Sequence, residues 1–272
     1  MMSITSDFHL HTSFSSDSET PMEQMIKRGI EMGLSHMCFT EHMDKDFLRR
    51  TDDDPDFEVD TASYFEKYQE LKEVYQNQIQ ILFGVELGLQ PQVAVNYRTY
   101  IKNYPFDFII GSSHLCHRMD PFLPEFYEGR EEHIAYREYF ESILENISAY
   151  DGYDVYGHLD YTVRYGPNKN QFYSYEAYAD VIDAILHALI DAGKGIEVNT
   201  GGFKYGLGHP NPTETVIRRY RELGGEIVTV GSDAHIPQYI AYEFEKVSAI
   251  LQDCGFRYYT IFQKRKAEFI KL

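Results

Sequence analysis

Seven short apolar runs in this chain each end in one or two side chains able to bind a metal ion. Residues 4–10 carry His9 and lead into His11, 35–40 lead into Glu41 and His42, and 79–85 stop at Glu86. Residues 108–113 stop at His114, and 154–157 lead to His158 and Asp160. The last two runs, 195–198 and 226–231, lead to Asn199 and to Asp233 and His235. Short β-branched runs separated by helical stretches are the pattern of parallel βα units. In barrels of such units, chemistry is built at the C-terminal ends of the strands. Chance would scatter His, Asp and Glu over both strand ends, so their gathering at one end predicts a multi-metal active site on an α/β barrel.

The stretches between the runs read as helices. Thr20-Pro21-Met22-Glu23 has a capping residue, Pro at the first helical position and Glu at the third, and Asn211-Pro212-Thr213-Glu214 repeats that arrangement. Ser63 and Glu66 have capping-box spacing. Helices are predicted near 21–32, 63–77, 131–149, 174–192, 212–223 and 238–253, with a weaker pattern at 92–103. Helix following strand throughout predicts a parallel sheet with right-handed crossovers. The run at residues 257–262 either completes the barrel or flanks it. With no linker or low-complexity tract, residues 1–272 are expected to form one catalytic domain.

A net charge of −18 argues against nucleic acid as partner, because phosphate backbones are bound by clustered Lys and Arg. Part of that charge is expected to be offset by cations at the site. Residues 1–7 lack a basic segment followed by an apolar one, so no signal peptide is expected. No run approaches the roughly 18–20 apolar residues of a membrane span. Three cysteines without metal-type spacing suit a reducing cytoplasm. Cys116, two residues past His114, reads as a buried structural thiol.

His9-Leu10-His11 is the strongest local element, because residues i and i+2 of a strand face one side and can reach one ion. Asp233 and His235 repeat the relation at the far end of the chain. With Thr40-Glu41-His42, Gly84-Val85-Glu86, Ser113-His114 and Gly157-His158, these motifs resemble the PHP (polymerase and histidinol phosphatase) superfamily over nearly the whole chain. Asp17-Ser18-Glu19, the segment from Gly157 to Gly166 and Glu197-Val198-Asn199-Thr200 resemble its histidinol-phosphatase branch. The resemblance implies a distorted seven-stranded (β/α) barrel, similar to a TIM barrel, holding three divalent ions. It implies His9, His11, Glu86 and Asp233 on the first ion, and Glu86 bridging to a second with His114 and His158. Asp17, His42 and His235 are implied on the third, with Asp17 standing where many members have His. Imidazole and carboxylate ligands suit zinc, iron or manganese.

By the same resemblance Arg164 binds phosphate, with a planar fork that matches two phosphate oxygens. His117 and Arg118 are further candidates for phosphate or the organic group, Asp160 for the substrate's ammonium or for orienting a ligating histidine, and Asn199 for the substrate or for capping the turn before Gly201-Gly202. A water on the third ion, or Asp17 or His42 beside it, is the candidate for protonating the leaving oxygen. Tyr161, Tyr165, Tyr173, Tyr175 and Tyr178 form a cluster able to line a pocket for an imidazole ring. Two long loops, 43–60 with Asp44, Asp46, Asp52, Asp53, Asp54 and Asp56, and 115–130, follow strand ends and read as lids, substrate walls or solvated surface.

The expected activity is hydrolysis of a small phosphate monoester, L-histidinol phosphate first, by a hydroxide shared between the first two ions. Competing readings are a phosphatase for a nucleotide or sugar phosphate, an exonuclease-like domain, and an inert metal-binding module. An acidic chain without a polymerase extension disfavours the exonuclease.

Overall fold

The computed structural model describes residues 3–47, 49, 51 and 55–272. Seven strands, β1 (Ser6–Leu10), β2 (His36–Met43), β3 (Gln80–Gly88), β4 (Phe108–Ser112), β5 (Val155–Tyr156), β6 (Gly195–Asn199) and β7 (Val228–Gly231), form one parallel sheet in sequential order. Every residue of β1, β4, β5, β6 and β7 is buried, as expected of a parallel sheet covered on both faces. The sheet curls until its edges meet only at their C-terminal ends. There Asp233 N donates to His9 O at 2.9 Å and His11 N to Ala234 O at 3.0 Å. The barrel is therefore nearly closed.

Residues 257–262 flank the barrel rather than completing it. They belong to β8 (Tyr258–Gln263), which pairs antiparallel with β9 (Lys266–Lys271). This hairpin seals the end away from the seam's hydrogen bonds: Thr260 Oγ1 accepts from Val228 N at 3.1 Å, and Ser6 Oγ donates to Tyr259 Oη at 3.0 Å. Phe262 stacks at 5.1 Å on Phe108, itself 5.3 Å from Phe8, so aromatic packing fills the floor. Each such buried ring stabilises the fold by about 1.5–3 kcal/mol.

The helices are α1 (Met22–Met32), α2 (Thr61–Tyr75), α3 (Ala94–Tyr100), α4 (Glu132–Ala149), α5 (Ala179–Asp191), the short α6 (Gly201–Lys204), α7 (Glu214–Glu222) and α8 (Phe244–Asp253). Tyrosines dock four of them on carbonyls within or beside the strands. Tyr64 of α2 donates to Phe39 O and Gly84 O, Tyr97 of α3 to Met43 O and Gly88 O, Tyr139 of α4 to Ser113 O, and Tyr220 of α7 to Lys194 O and Ile227 O. A buried phenol needs such a partner, which accounts for much of this chain's tyrosine content.

Several predicted helix starts are displaced. Asp60, not Ser63, caps α2, accepting from Ser63 N at 3.2 Å. Thr20 and Asn211 do not cap: the Thr20 hydroxyl donates to His235 O at 3.0 Å and Asn211 bonds Arg164, so both serve the barrel mouth. The regions expected at 174–192 and 238–253 open with 3₁₀ turns, Tyr175–Tyr178 and Pro237–Tyr239, before α5 and α8 begin. Among the described residues no helix is long and apolar enough to cross a membrane.

Candidate metal centre

The C-terminal ends of the strands bring nine predicted ligands into three clusters. In the first, His9 Nε2 lies 3.1 Å from Glu86 Oε2 and 3.8 Å from Asp233 Oδ1, and His11 Nε2 lies 3.5 and 3.7 Å from the same two oxygens. In the second, the other oxygen of Glu86 lies 3.1 Å from His114 Nε2 and 2.9 Å from His158 Nε2. In the third, Asp17 Oδ2 lies 3.5 Å from His42 Nε2 and 3.1 Å from His235 Nε2. His42 and Glu86 sit within β2 and β3, whereas His114, His158, Asp233 and His235 lie just beyond their strands. Asp233 reaches the seam through a left-handed turn, at φ 55, a conformation Asp tolerates better than most residues.

These spacings fit ligation. Zinc bonds of about 2.0–2.2 Å put neighbouring tetrahedral ligand atoms about 3.3–3.6 Å apart, and the first cluster brackets that value. His9 Nε2, His11 Nε2 and Glu86 Oε2 are fully buried yet make no hydrogen bond, despite lying close to one another. Lone pairs that converge on one point instead of pairing could be satisfied together by a shared cation. Such orphaned atoms are otherwise costly.

The electrostatics agree. Burial disfavours a charged His9, but Glu197, Glu86 and Asp233 outweigh it and hold its pKa well above the ordinary value. His114, buried but facing Asp44 and Glu86, is raised to about 10. Burial and the neighbouring His42, His235 and His9 push His11 well down. Against burial, His9 and His114 hold Glu86 well below the carboxylate range, and His42 and His235 do the same for Asp17. Cations or protons must balance this cage, and metal binding to such side chains would displace the protons.

Above the clusters opens a cavity of about 510 Å³. Its walls are Phe47, Pro55 and Phe57 from the loop after β2, Asp120, Phe122 and Leu123 from the loop after β4, and Tyr161, Arg164, Tyr165 and Tyr205. Both long loops therefore supply walls. Asp52, Asp53 and Asp54 of the acidic stretch lie outside the described residues. Arg164 is only 3% exposed and bridges Asn211 Oδ1, Asp233 Oδ2 and Asn199 Oδ1 at 2.8–2.9 Å.

Other substrate-contact expectations are corrected. His117 turns outward, 3.2 Å from Glu138 and 3.1 Å from Glu145, and with Arg118 lines a separate groove under α4. The cause is local: both residues adopt left-handed backbone, at φ 49 and 69, which swings the chain away from the mouth. Asp160 is buried beneath the cavity, accepting from Asn211 Nδ2 and Thr213 N. Asn199 holds Arg164 and Gly201 N rather than facing the cavity. Of the tyrosine cluster only Tyr161 and Tyr165 reach the cavity; Tyr173 and Tyr178 pack with Phe140, and Tyr175 bonds Asp183.

Residues not singled out as site residues complete the surroundings. Glu197 Oε1 is 2.6 Å from His9 Nδ1, and Asp44 Oδ1 is 2.8 Å from His114 Nδ1. Ser15 Oγ, 3.2 Å from His11 Nδ1, donates to Glu41 Oε2 at 2.6 Å, and Ser112 Oγ donates to Glu86 Oε1 at 2.6 Å. A glutamate in the middle of an otherwise apolar buried strand was the available signal for Glu197, because acids are almost never fully buried without a partner.

The PHP domain family matches residues 7–201. A histidinol-phosphatase of Lactococcus lactis subsp. lactis (strain IL1403) is 29% identical over 263 residues, covering 96% of both chains. A Thermotoga maritima protein named a probable histidinol-phosphatase is 30% identical over 266 residues, covering 95% of this chain and 96% of its own. The crystal structure of histidinol phosphate phosphatase from Lactococcus lactis subsp. lactis Il1403, complexed with zinc, L-histidinol and phosphate, superposes with a TM-score of 0.90 at 29% identity, covering 97% of this chain and 98% of that one.

Proposed function

The chain belongs to the PHP domain family, and from that premise we propose that it is a metal-dependent phosphatase hydrolysing L-histidinol phosphate to L-histidinol and phosphate. One observation carries the reading: three imidazole–carboxylate clusters, two of them sharing Glu86, form the floor of one cavity with aromatic walls. The relatives' names and the zinc, histidinol and phosphate bound by the Lactococcus enzyme support this substrate.

In this reading His9, His11, Glu86 and Asp233 hold one ion, Glu86, His114 and His158 a second, and Asp17, His42 and His235 a third. Bound divalent ions supply Lewis acidity toward phosphate oxygens and lower the pKa of water toward 7. Hydrolysis forms one P–O bond from water and breaks the P–O bond to the alcohol, and the proton released ends on the leaving oxygen. Arg164 has five N–H donors and directs three bonds at Asn211, Asp233 and Asn199. Its remaining donors face phosphate, and the three anchors fix the plane in which they point. Asp17 Oδ2 and His42 Nε2 lie in the cavity wall as the atoms that would be taken up by the third ion, so neither carries a proton to give, and the alcohol takes its proton from water at that open edge. Phe47, Phe57, Phe122, Tyr161 and Tyr165 offer flat faces to an imidazole ring, and Asp120 adds a carboxylate to the wall that receives the ammonium group.

Phosphate release from histidinol phosphate, compared with nucleotide and sugar phosphates on zinc-loaded and manganese-loaded protein, tests the proposal. Histidinol phosphate should lead in kcat/KM by orders of magnitude, and Glu86→Ala or Asp233→Ala should abolish turnover with far-UV circular dichroism unchanged. Equal rates across the panel would refute the substrate, and turnover surviving Glu86→Ala would refute the metal chemistry.

A further inference from the structure

The six cage histidines are not supported alike. The outer nitrogen of a ligating imidazole is normally hydrogen-bonded, which fixes its tautomer and raises its basicity. His9 Nδ1 meets Glu197 at 2.6 Å and His114 Nδ1 meets Asp44 at 2.8 Å, so each of the two clusters sharing Glu86 has one histidine directly backed by a carboxylate. His11 in the first is also backed, through Ser15 to Glu41. In the third cluster, His235 Nδ1 finds only the backbone oxygen of Asp233 at 3.1 Å, and His42 Nδ1 faces Glu86 Oε2, itself an ion-side oxygen, at 3.1 Å, so neither ring has a carboxylate of its own behind it. In the second cluster His158 Nδ1 makes no hydrogen bond among the described residues. The third cluster is also the open one. The side chains of Asp17 and His235 are 36% and 22% exposed, against 0% for Glu86.

Glycines make room for both backing carboxylates. A Cβ on Gly231 would lie 2.4 Å from Glu197 Oε1, and one on Gly88 would lie 1.5 Å from Asp44 Oδ1. Glu197 is held further by His158 N at 2.9 Å and Asn199 Nδ2 at 3.1 Å. Asp44 is anchored through its backbone, whose N donates to Phe57 O at 2.8 Å. The same device occurs twice, on different strands, behind different ligands.

We infer that Glu197 and Asp44 are positioning residues that grade the centre, making the two ions that share Glu86 tightly held and the ion at Asp17, His42 and His235 exchangeable. This rests on the metalloenzyme reading above. Neither residue touches the reacting atoms. Each meets the outer ring nitrogen of one histidine, Glu197 that of His9 and Asp44 that of His114, while Glu197 also accepts from His158 N and Asp44 Oδ2 lies 3.8 Å from His42 Nδ1, so each acts chiefly on one ion. Loss of such a partner typically weakens metal binding 10- to 100-fold.

The test is chelator titration of the zinc-loaded protein, read as zinc per chain and not as turnover. The wild type should release one ion at a chelator concentration at least tenfold below that needed for the other two. Glu197→Gln and Asp44→Asn should each move one tight ion to 10- to 100-fold weaker binding while leaving the other tight ion in place, whereas a general loosening of the fold would move all three together. Asp17→Asn should remove the weak class alone. Release of all zinc as a single class from the wild type would overturn the grading, as would Glu197→Gln and Asp44→Asn proteins that hold zinc within twofold of the wild type. The wild-type result decides the grading even where a variant does not fold. A wild-type chain that binds no zinc at all would instead sink the metalloenzyme reading.

Discussion

Replacing Gly231 by alanine tests the cage with a single methyl group. That methyl carbon would lie 2.4 Å from Glu197 Oε1 and 2.4 Å from His9 Cβ, where relaxed carbon contacts lie at about 3.5–4.0 Å. Neither neighbour can rotate away: Glu197 is held by His9, His158 N and Asn199, and His9 is fully buried on β1. Overpacking of this kind costs about 1–3 kcal/mol, and prising Glu197 from His9 forfeits a hydrogen bond to a charged group worth about 1.5–3 kcal/mol. Gly231→Ala should therefore lose about 3–6 kcal/mol, a large share of the roughly 5–15 kcal/mol that holds a typical domain. Gly33→Ala is the control. Gly33 has φ 77 but open space around it, so only the left-handed backbone penalty of about 1–2 kcal/mol applies. Urea unfolding of both variants, with and without zinc, and zinc content after dialysis separate the cases. A Gly231→Ala protein as stable as Gly33→Ala, with wild-type zinc, would refute the steric reasoning.

Two further outcomes are expected. All three thiols are buried and free, and burial pushes Cys38 well up, Cys116 to about 12 and Cys254 to about 11, so at pH 8 none should react with a disulfide reagent within minutes until denaturant exposes all three. One thiol reacting rapidly in the folded protein would contradict this. Burial opposes charge on His117, but hydrogen bonds to Glu138 and Glu145 prevail and raise its pKa above the ordinary 6.5. The pairing therefore contributes fully below that value and fades as pH rises through the raised one. At this exposed site it is worth about 0.2–1 kcal/mol, so proteolytic nicking of the loop after β4 should increase modestly between pH 6 and 9, and His117→Gln should remove that dependence.

The strands were legible because a sheet covered on both faces demands unbroken apolar runs, and the clustered imidazoles and carboxylates because each run stops at a polar residue. Helix starts were read less well. Thr20 and Asn211 look like caps, but their side chains are used across the barrel mouth, by His235 O and Arg164. Tertiary partners outcompeted a local bond worth about 1 kcal/mol. The substrate roles fail at Asp160 and Asn199 for one cause, although Asn199 does cap the turn before Gly201-Gly202, accepting from Gly201 N. A residue at a strand's end was assumed to face the mouth, yet Asp160 sits in a turn and faces Asn211, and Asn199 faces Arg164. Both support the arginine from behind. His117 and Arg118 failed for another reason, since their left-handed backbone is set by no glycine or asparagine that the sequence displays.

Charge links the backing carboxylates to the choice of substrate. Among the described residues five carboxylates contact the cage imidazoles: Glu86, Asp233 and Asp17 on the ion side, Glu197 and Asp44 behind. Arg164, paired with Asp233 at 2.9 Å, cancels one, leaving four negative charges around neutral histidines. Two divalent ions would bring this to neutrality and give a phosphate monoester dianion no net attraction. A third leaves two positive charges, the complement of that dianion, in a cavity whose apolar walls weaken screening. On this reckoning the most exposed ion is the one that turns a balanced cage into an anion receptor. The carboxylates behind His9 and His114 would stabilise the neutral pair, and the solvent-facing Asp17 cluster would then admit ion and phosphate at the same open edge.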